Sequence, residues 1–289
     1  MRARWVVLAM VVAVAFAAGL RPEEVYAQQT VNEAEVQYRL ALRHKRAGRT
    51  AEALASARET VRLRPDHAAA HFTIGALERQ AGNLEAALTA FRRVVQLEPG
   101  DAPGHAMVGA VLARLGRFEE AIPELQRATS INNRDVPSWG NLGACFRRAR
   151  RPEEAIAAYR HGLEFNPANP DLLNNLSVAL RQAGRIDEAI EMLQSALARD
   201  PDQPQFNLNI ATMYRRQERW GDAARHYEVG LRGEPNNAGA LFDLGYCYEQ
   251  LNRDTDAIRT YRRYIAVVRS SDPEGAARAE ERLIALEDP

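Results

Sequence analysis

The chain has 289 residues, 46% of them hydrophobic, with 38 basic and 38 acidic side chains. That apolar content is ample for folding and excludes a disordered tail. The balanced charge supplies no bulk field toward nucleic acid or an anionic membrane, so any electrostatic preference lies in how the charges are arranged.

The first predicted element is unlike the rest. Arg2 and Arg4 precede an apolar run from Trp5 to Leu20, and a polar stretch then leads to Val25-Tyr26-Ala27. A basic flank, a short apolar run and small or aliphatic residues at 25 and 27 predict a secretory signal over 1–27, with Gln28 as the new N-terminus. The run is 16 residues long, short of the roughly 20 that a membrane-spanning helix needs. The predicted location is periplasmic or secreted. The alternative is a retained anchor that holds the domain on the exported side of a membrane.

From Ala34 onward one unit recurs. Alanines stand at 53, 87, 121, 155, 189, 223 and 257, each 34 residues after the last. The copies run 34–67, 68–101, 102–135, 136–169, 170–203, 204–237 and 238–271. A fixed period of this size means a stack of small helical units. Position 8 is small throughout (Ala41, Gly75, Gly109, Gly143, Ser177, Ala211, Gly245), as is the alanine position 20. Small residues on facing sides let two helices approach closely. Position 7 is bulky, from Ile74 to Leu244, and position 24 is mostly large: Phe91, Leu125, Tyr159, Leu193, Tyr227 and Tyr261.

Punctuation completes the unit. Gly48, Gly82, Gly116 and Gly184 at position 15 end the first helix. Pro65, Pro99, Pro167, Pro201 and Pro235 at position 32 end the second. Each copy therefore predicts helix, turn, helix, linker. Pro123 inside the second helix and Asn133 in place of the linker proline predict that the third copy is the irregular one. Cys145 and Cys247 lie three repeats apart, too far for a disulfide, and are expected to be buried. After the last copy, Asp272-Pro273-Glu274 starts a helix whose stripe of Ala276, Ala279, Leu283 and Leu286 caps the stack over 272–289.

This pattern resembles the tetratricopeptide repeat family from Ala34 to Ser271, with Trp139 at its aromatic position 4. The resemblance implies an all-α, right-handed superhelical solenoid whose concave groove is lined by the first helices. It also implies a protein or peptide ligand. Groove position 6 holds Asn141, Asn175, Asn209 and Asp243 in the last four copies. An asparagine amide can pair with both backbone groups of an extended peptide. The row is similar to the asparagine ladder of the O-linked N-acetylglucosamine transferase superhelix. Positions 12 and 13 carry Lys45, Arg46, Arg79, Arg114, Arg147, Arg148, Arg181, Arg215 and Arg216, before Glu249 and Gln250. Arginine pairs bidentately with carboxylates, so these cations predict a partly acidic segment. The competing reading is a solvated basic face balanced by acids such as Glu119, Glu120, Glu153 and Glu154. The lysine of the chaperone-binding subclass is missing, since position 5 runs from Tyr38 to Phe242 without one.

The sequence offers no set of catalytic, cofactor-binding or metal-ligating residues. His67, His71 and His105 lack converging ligands, and no nucleotide loop or nucleophile elbow occurs. The expectation is a non-catalytic adaptor that binds a protein or peptide and serves envelope assembly. Nucleic acid and small-molecule substrates are not expected, and a membrane only if the N-terminal segment is retained. The alternative is a structural or oligomeric scaffold that uses its convex face or end-on stacking.

Overall fold

The 34-residue period becomes a pair of antiparallel helices because each copy starts and stops its helices with different chemistry. In the computed structural model, residues 21–201 and 203–287 are described. The apolar run of the predicted signal lies outside them. The first three copies hold α1 (Pro22–Arg46), α2 (Thr50–Leu63), α3 (Ala68–Gln80), α4 (Leu84–Leu97), α5 (Ala102–Arg114) and α6 (Phe118–Ile131). The next three hold α7 (Val136–Arg148), α8 (Pro152–Phe165), α9 (Pro170–Gln182), α10 (Ile186–Leu197), α11 (Pro204–Arg216) and α12 (Trp220–Gly233). Copy seven is α13 (Ala238–Gln250) and α14 (Asp254–Val268), and α15 (Pro273–Glu287) follows as the predicted cap. Two compact units result, one through Asn141 and one from Leu142 onward.

Four first helices are capped at their N-termini by the side chain of the last residue of the preceding copy. Asp101, Asn169 and Asn237 accept the N–H three residues on, at 2.8, 3.0 and 3.0 Å. Second helices begin differently. Arg117, Arg151, Arg185, Arg219 and Arg253 stand at the cap position and reach forward to an acid three residues on, among them Glu120, Glu154 and Asp222. Those acids also oppose the positive end of the helix. Arg219 and Arg253 further lie over the Tyr214 and Tyr248 rings, at 4.2 and 4.3 Å. This arginine-to-acid spacing recurs in five copies.

The small and large positions meet as expected. A Cβ at Gly75, Gly143 or Gly245 would come within 2.8, 2.5 or 2.7 Å of the Phe91, Tyr159 or Tyr261 ring. Position 4 has a second job, tying down the linker behind it. His71, His105, Trp139 and Asn207 each bond the carbonyl of the position-32 residue, at 2.9, 3.1, 2.8 and 3.0 Å. The histidines are therefore structural.

Position 15 takes a left-handed backbone in every copy. Gly48, Gly82, Gly116 and Gly184 have φ between 71° and 84°, and Arg150, Glu218 and Asn252 adopt 61°, 58° and 54°. A residue with a Cβ resists that region by about 1–2 kcal/mol. Arg150→Gly and Glu218→Gly are each expected to raise stability by about 0.5–1 kcal/mol, the entropy of glycine offsetting part of the gain. Calorimetric melting checks this; an unchanged or lower Tm would contradict it.

One expectation needs revision. Copy three is regular: α6 keeps the bounds of α4 shifted by one period, with Pro123 inside it. Pro123 is exposed, so water can serve the backbone around the missing N–H. The irregular copy is the fifth, where α10 has 12 residues against 14 in α4 or α12. Helix α1 begins at Pro22, well before copy one, because Pro22, Glu23 and Glu24 form a helix start. The predicted cleavage point thus lies inside a helix. No described helix is long and apolar enough to cross a membrane.

His67 caps α3 through Nδ1, which accepts the Ala70 N–H at 3.2 Å, while its Nε2 is buried 3.9 Å from Glu35. Burial lowers its pKa, helped by Arg64 and opposed by Glu35. The folded state therefore prefers the neutral ring. As pH falls through the unfolded value near ~6.5, the unfolded chain takes up the proton first and stability is lost. Melting between pH 7 and 5 should fall less steeply in His67→Asn, which keeps a cap without the titrating ring. Identical slopes would refute this assignment.

Candidate functional site

In the unit from Leu142 onward, first helices α7, α9, α11 and α13 present position 12 as Arg147, Arg181, Arg215 and Glu249. Behind them, position 24 sends tyrosine hydroxyls toward the same region. Tyr227 donates to Asp243 Oδ2 at 2.8 Å, and Tyr261 donates to Glu249 at 3.0 Å. Burial raises the pKa of both phenols, and the neighbouring carboxylates push the same way.

The position-12 arginines do not share one fate. Arg215 has its Nε 3.1 Å from Asp243 Oδ2. Burial opposes its charge, yet Asp243 and Tyr227 more than offset that and hold its pKa above the ordinary value. Glu249 is bound at 2.8 and 2.9 Å by Arg282 of α15, so the cap helix closes the end of the row. Arg147, Arg148, Arg181 and Arg216 form no ion pair with any described residue. Arg147 and Arg181 are half-buried, and the Nε of Arg147 is buried with no partner. Burial lowers the pKa of Arg181, and the like charges of Arg216 and Arg147 lower it further. Three cations are thus gathered with nothing to neutralise them.

Within this unit Arg150, Arg199, Arg263 and Arg278 likewise form no ion pair with any described residue, whereas other arginines do. Arg151, Arg160, Arg185, Arg219, Arg225, Arg253, Arg259, Arg262 and Arg269 all have carboxylates. They lie on second helices, on the cap positions before them, or just beyond α14. Arg147, Arg181 and Arg216 are not ion-paired with acids of the second helices, and Glu153, Glu154 and Glu188 serve other arginines.

The asparagine row divides as well. Asn209 donates to Asn174 Oδ1 of α9 and reaches Ser177 at 3.5 Å, so its amide joins two copies. Asp243 is occupied by Tyr227 and Arg215. Both side chains thus bond to a neighbouring copy. Asn175 is half-buried with no side-chain hydrogen bond to any described residue. Of the remaining candidates, Asn141 and Arg114 lie in the first unit, both exposed. Cys145 and Cys247 are buried free thiols, pushed up by burial to about 11 and about 12. Among the described residues no group of His, Cys, Asp or Glu could hold a metal ion.

Comparison with known proteins agrees with this architecture. The family described as the cilia and flagella-associated protein 70 C-terminal domain, a tetratricopeptide repeat domain, matches residues 6–240. The tetratricopeptide repeat itself matches residues 208–276. No curated protein matches the chain. Among solved structures, a tetratricopeptide repeat protein from Parabacteroides merdae superposes with a TM-score of 0.63 at 14% identity, over 89% of this chain and 100% of that one. PilF of Pseudomonas aeruginosa gives 0.60 at 19% identity, over 74% and 97%. YrrB, described as a repeat protein with an unusual peptide-binding site, gives 0.55 at 23% identity, over 59% and 88%. At these identities the likeness speaks for the fold. Such repeats are in general non-catalytic surfaces for protein partners. Matched across most of its length and built of paired helices at the family's period, this chain belongs to the tetratricopeptide repeat family.

Proposed function

We propose that the chain is an exported adaptor whose first helices bind an extended, partly acidic segment of a protein partner during assembly of an envelope complex. The observation that carries the binding half is the gathering of Arg147, Arg181 and Arg216, on first helices of three successive copies, without a carboxylate. Arginine in this setting favours carboxylate over water, because its fork meets both oxygens. Asn175 adds an unpartnered amide on α9. The export half rests on the basic and apolar N-terminal sequence.

Binding is tested with the purified chain and a labelled extended peptide rich in glutamate, alongside the same peptide with glutamine. The glutamate form should bind and weaken as salt rises. Equal binding of the two forms would sink the charge reading. N-terminal sequencing of protein recovered outside the cytoplasm decides between cleavage before Gln28 and a retained anchor.

End-on association is the second reading, and it has an observation of its own. Val36 on α1 is 61% exposed and Ile284 on α15 is 63% exposed. Light scattering that shows a monomer at high concentration would remove it.

A further inference from the structure

A tyrosine stands at position 24 in copies four, six and seven, and in the last two its hydroxyl shares a carboxylate with an arginine. In copy six, Tyr227 donates to Asp243 Oδ2 at 2.8 Å, and the Nε of Arg215 lies 3.1 Å from the same oxygen. Asp243 comes from position 6 of the following copy. In copy seven, Tyr261 donates to Glu249 at 3.0 Å, and Arg282 of the cap helix binds that carboxylate at 2.8 and 2.9 Å. The chain thus shows twice what a buried phenol and a nearby arginine hold between them.

Copy four has the phenol and the arginine without the acid. Tyr159 is 0% exposed, and burial pushes its phenol up, opposed by the Arg147 guanidinium beside it. The Tyr159 hydroxyl and the Arg147 Nε are both buried, and no described group makes a hydrogen bond of ordinary geometry with either. Position 6 of the following copy, the source of the acid in copy six, is Asn175. Its amide carries no charge and has no side-chain hydrogen bond to any described residue. A buried hydroxyl without a bond is costly, and few folded chains keep one. Copies three and five place Leu125 and Leu193 at position 24, so Arg114 and Arg181 have no phenol of their own copy to share.

We infer that Arg147 and Tyr159 form a binding site for a single carboxylate, supplied by the partner's acidic segment in the role that Asp243 fills in copy six. The site rests on the acidic-segment reading above and gives it one fixed point. Arg147 supplies the charge. Tyr159, its ring set against Gly143, supplies a hydroxyl held in place by packing. A hydrogen bond to an ionised acceptor is stronger than one to a neutral amide, so a glutamine in the same place is held less well. The hydroxyl is covered in the free chain, and the acid reaches it as the half-buried Arg147 side chain turns aside.

The test is to supply the acid from within. Asn175→Asp should raise the Tm by about 2–4 °C and weaken binding of the glutamate peptide by the full chain at least about ten-fold, because the site is already filled. Tyr159→Phe should leave the Tm unchanged or higher, since the hydroxyl bonds nothing in the free chain, yet weaken the peptide about ten-fold. It should also remove most of the Tm gain of Asn175→Asp, as coupled positions do. A Tm unchanged or lowered by Asn175→Asp would overturn the site, since an acid placed there would not be held. The full gain retained beside Tyr159→Phe would overturn the part given to the hydroxyl. Peptide binding undiminished in both variants would overturn the partner's use of this site while leaving the acidic reading in place. A Tm gain with equal binding of the glutamate and glutamine peptides by the unaltered chain would overturn the acidic reading and, with it, the ligand assigned here.

Discussion

Tyr227→Ala is expected to cost about 3–5 kcal/mol of stability, whereas Tyr227→Phe should cost only about 1 kcal/mol. The ring is 1% exposed and fills position 24 of copy six, the place where Tyr159 and Tyr261 meet the glycine of the first helix. Removing it opens a cavity between the two helices of one copy. Removing the hydroxyl alone takes a 2.8 Å bond from Asp243, which keeps Arg215 at 3.1 Å. The carboxylate is therefore not stranded. In a stack each copy contacts only its neighbours, so the alanine variant should show an early, separate transition in urea. Equal midpoints for the alanine and phenylalanine variants would refute the packing role assigned to the ring.

Reversing Arg147, Arg181 and Arg216 to glutamate is expected to weaken acidic-peptide binding at least about a hundred-fold, the equivalent of about 2.8 kcal/mol. The more telling result comes from Arg181→Gln. Its charge is desolvated and repelled by Arg216 and Arg147. A neutral side chain there should leave the Tm unchanged or raise it while binding falls. A residue kept for stability would behave in the opposite way, and a solvated bystander would change neither quantity. Sites kept for binding often oppose stability in this manner. Arg185→Gln serves as the control. Arg185 pairs with Glu188 at 2.6 Å and Glu153 at 3.0 Å, so its loss should leave binding near the wild-type level.

Much of the fold was legible because its packing rule is repeated. Gly143 against Tyr159 and Gly245 against Tyr261 obey one steric relation, and the 34-residue spacing states it in six of the seven copies. What misled was any inference drawn from a single copy. Pro123 reads as a break, yet its effect depends on which side of α6 meets water. The site was legible only in outline. Reading position by position treats Asn209, Asp243 and Arg215 as equals of Asn175 and Arg181. Their bonds run between unlike positions of neighbouring copies, from 6 to 5 and from 12 to 6, and no single column displays them. The arginines before the second helices could have been found: Arg117, Arg185 and Arg253 each precede an acid by three residues.

The contact of Arg282 with Glu249 bears on how such an array can change its length. It makes copy seven a terminus by chemistry, since only there does position 12 carry an acid that matches the cap. A duplication placed after copy seven would strand that acid among cations. One placed among copies four to six would add a rung of about 10 Å and another cation while leaving the terminus intact. The array can therefore be lengthened from within, and its reach becomes a quantity set by counting copies.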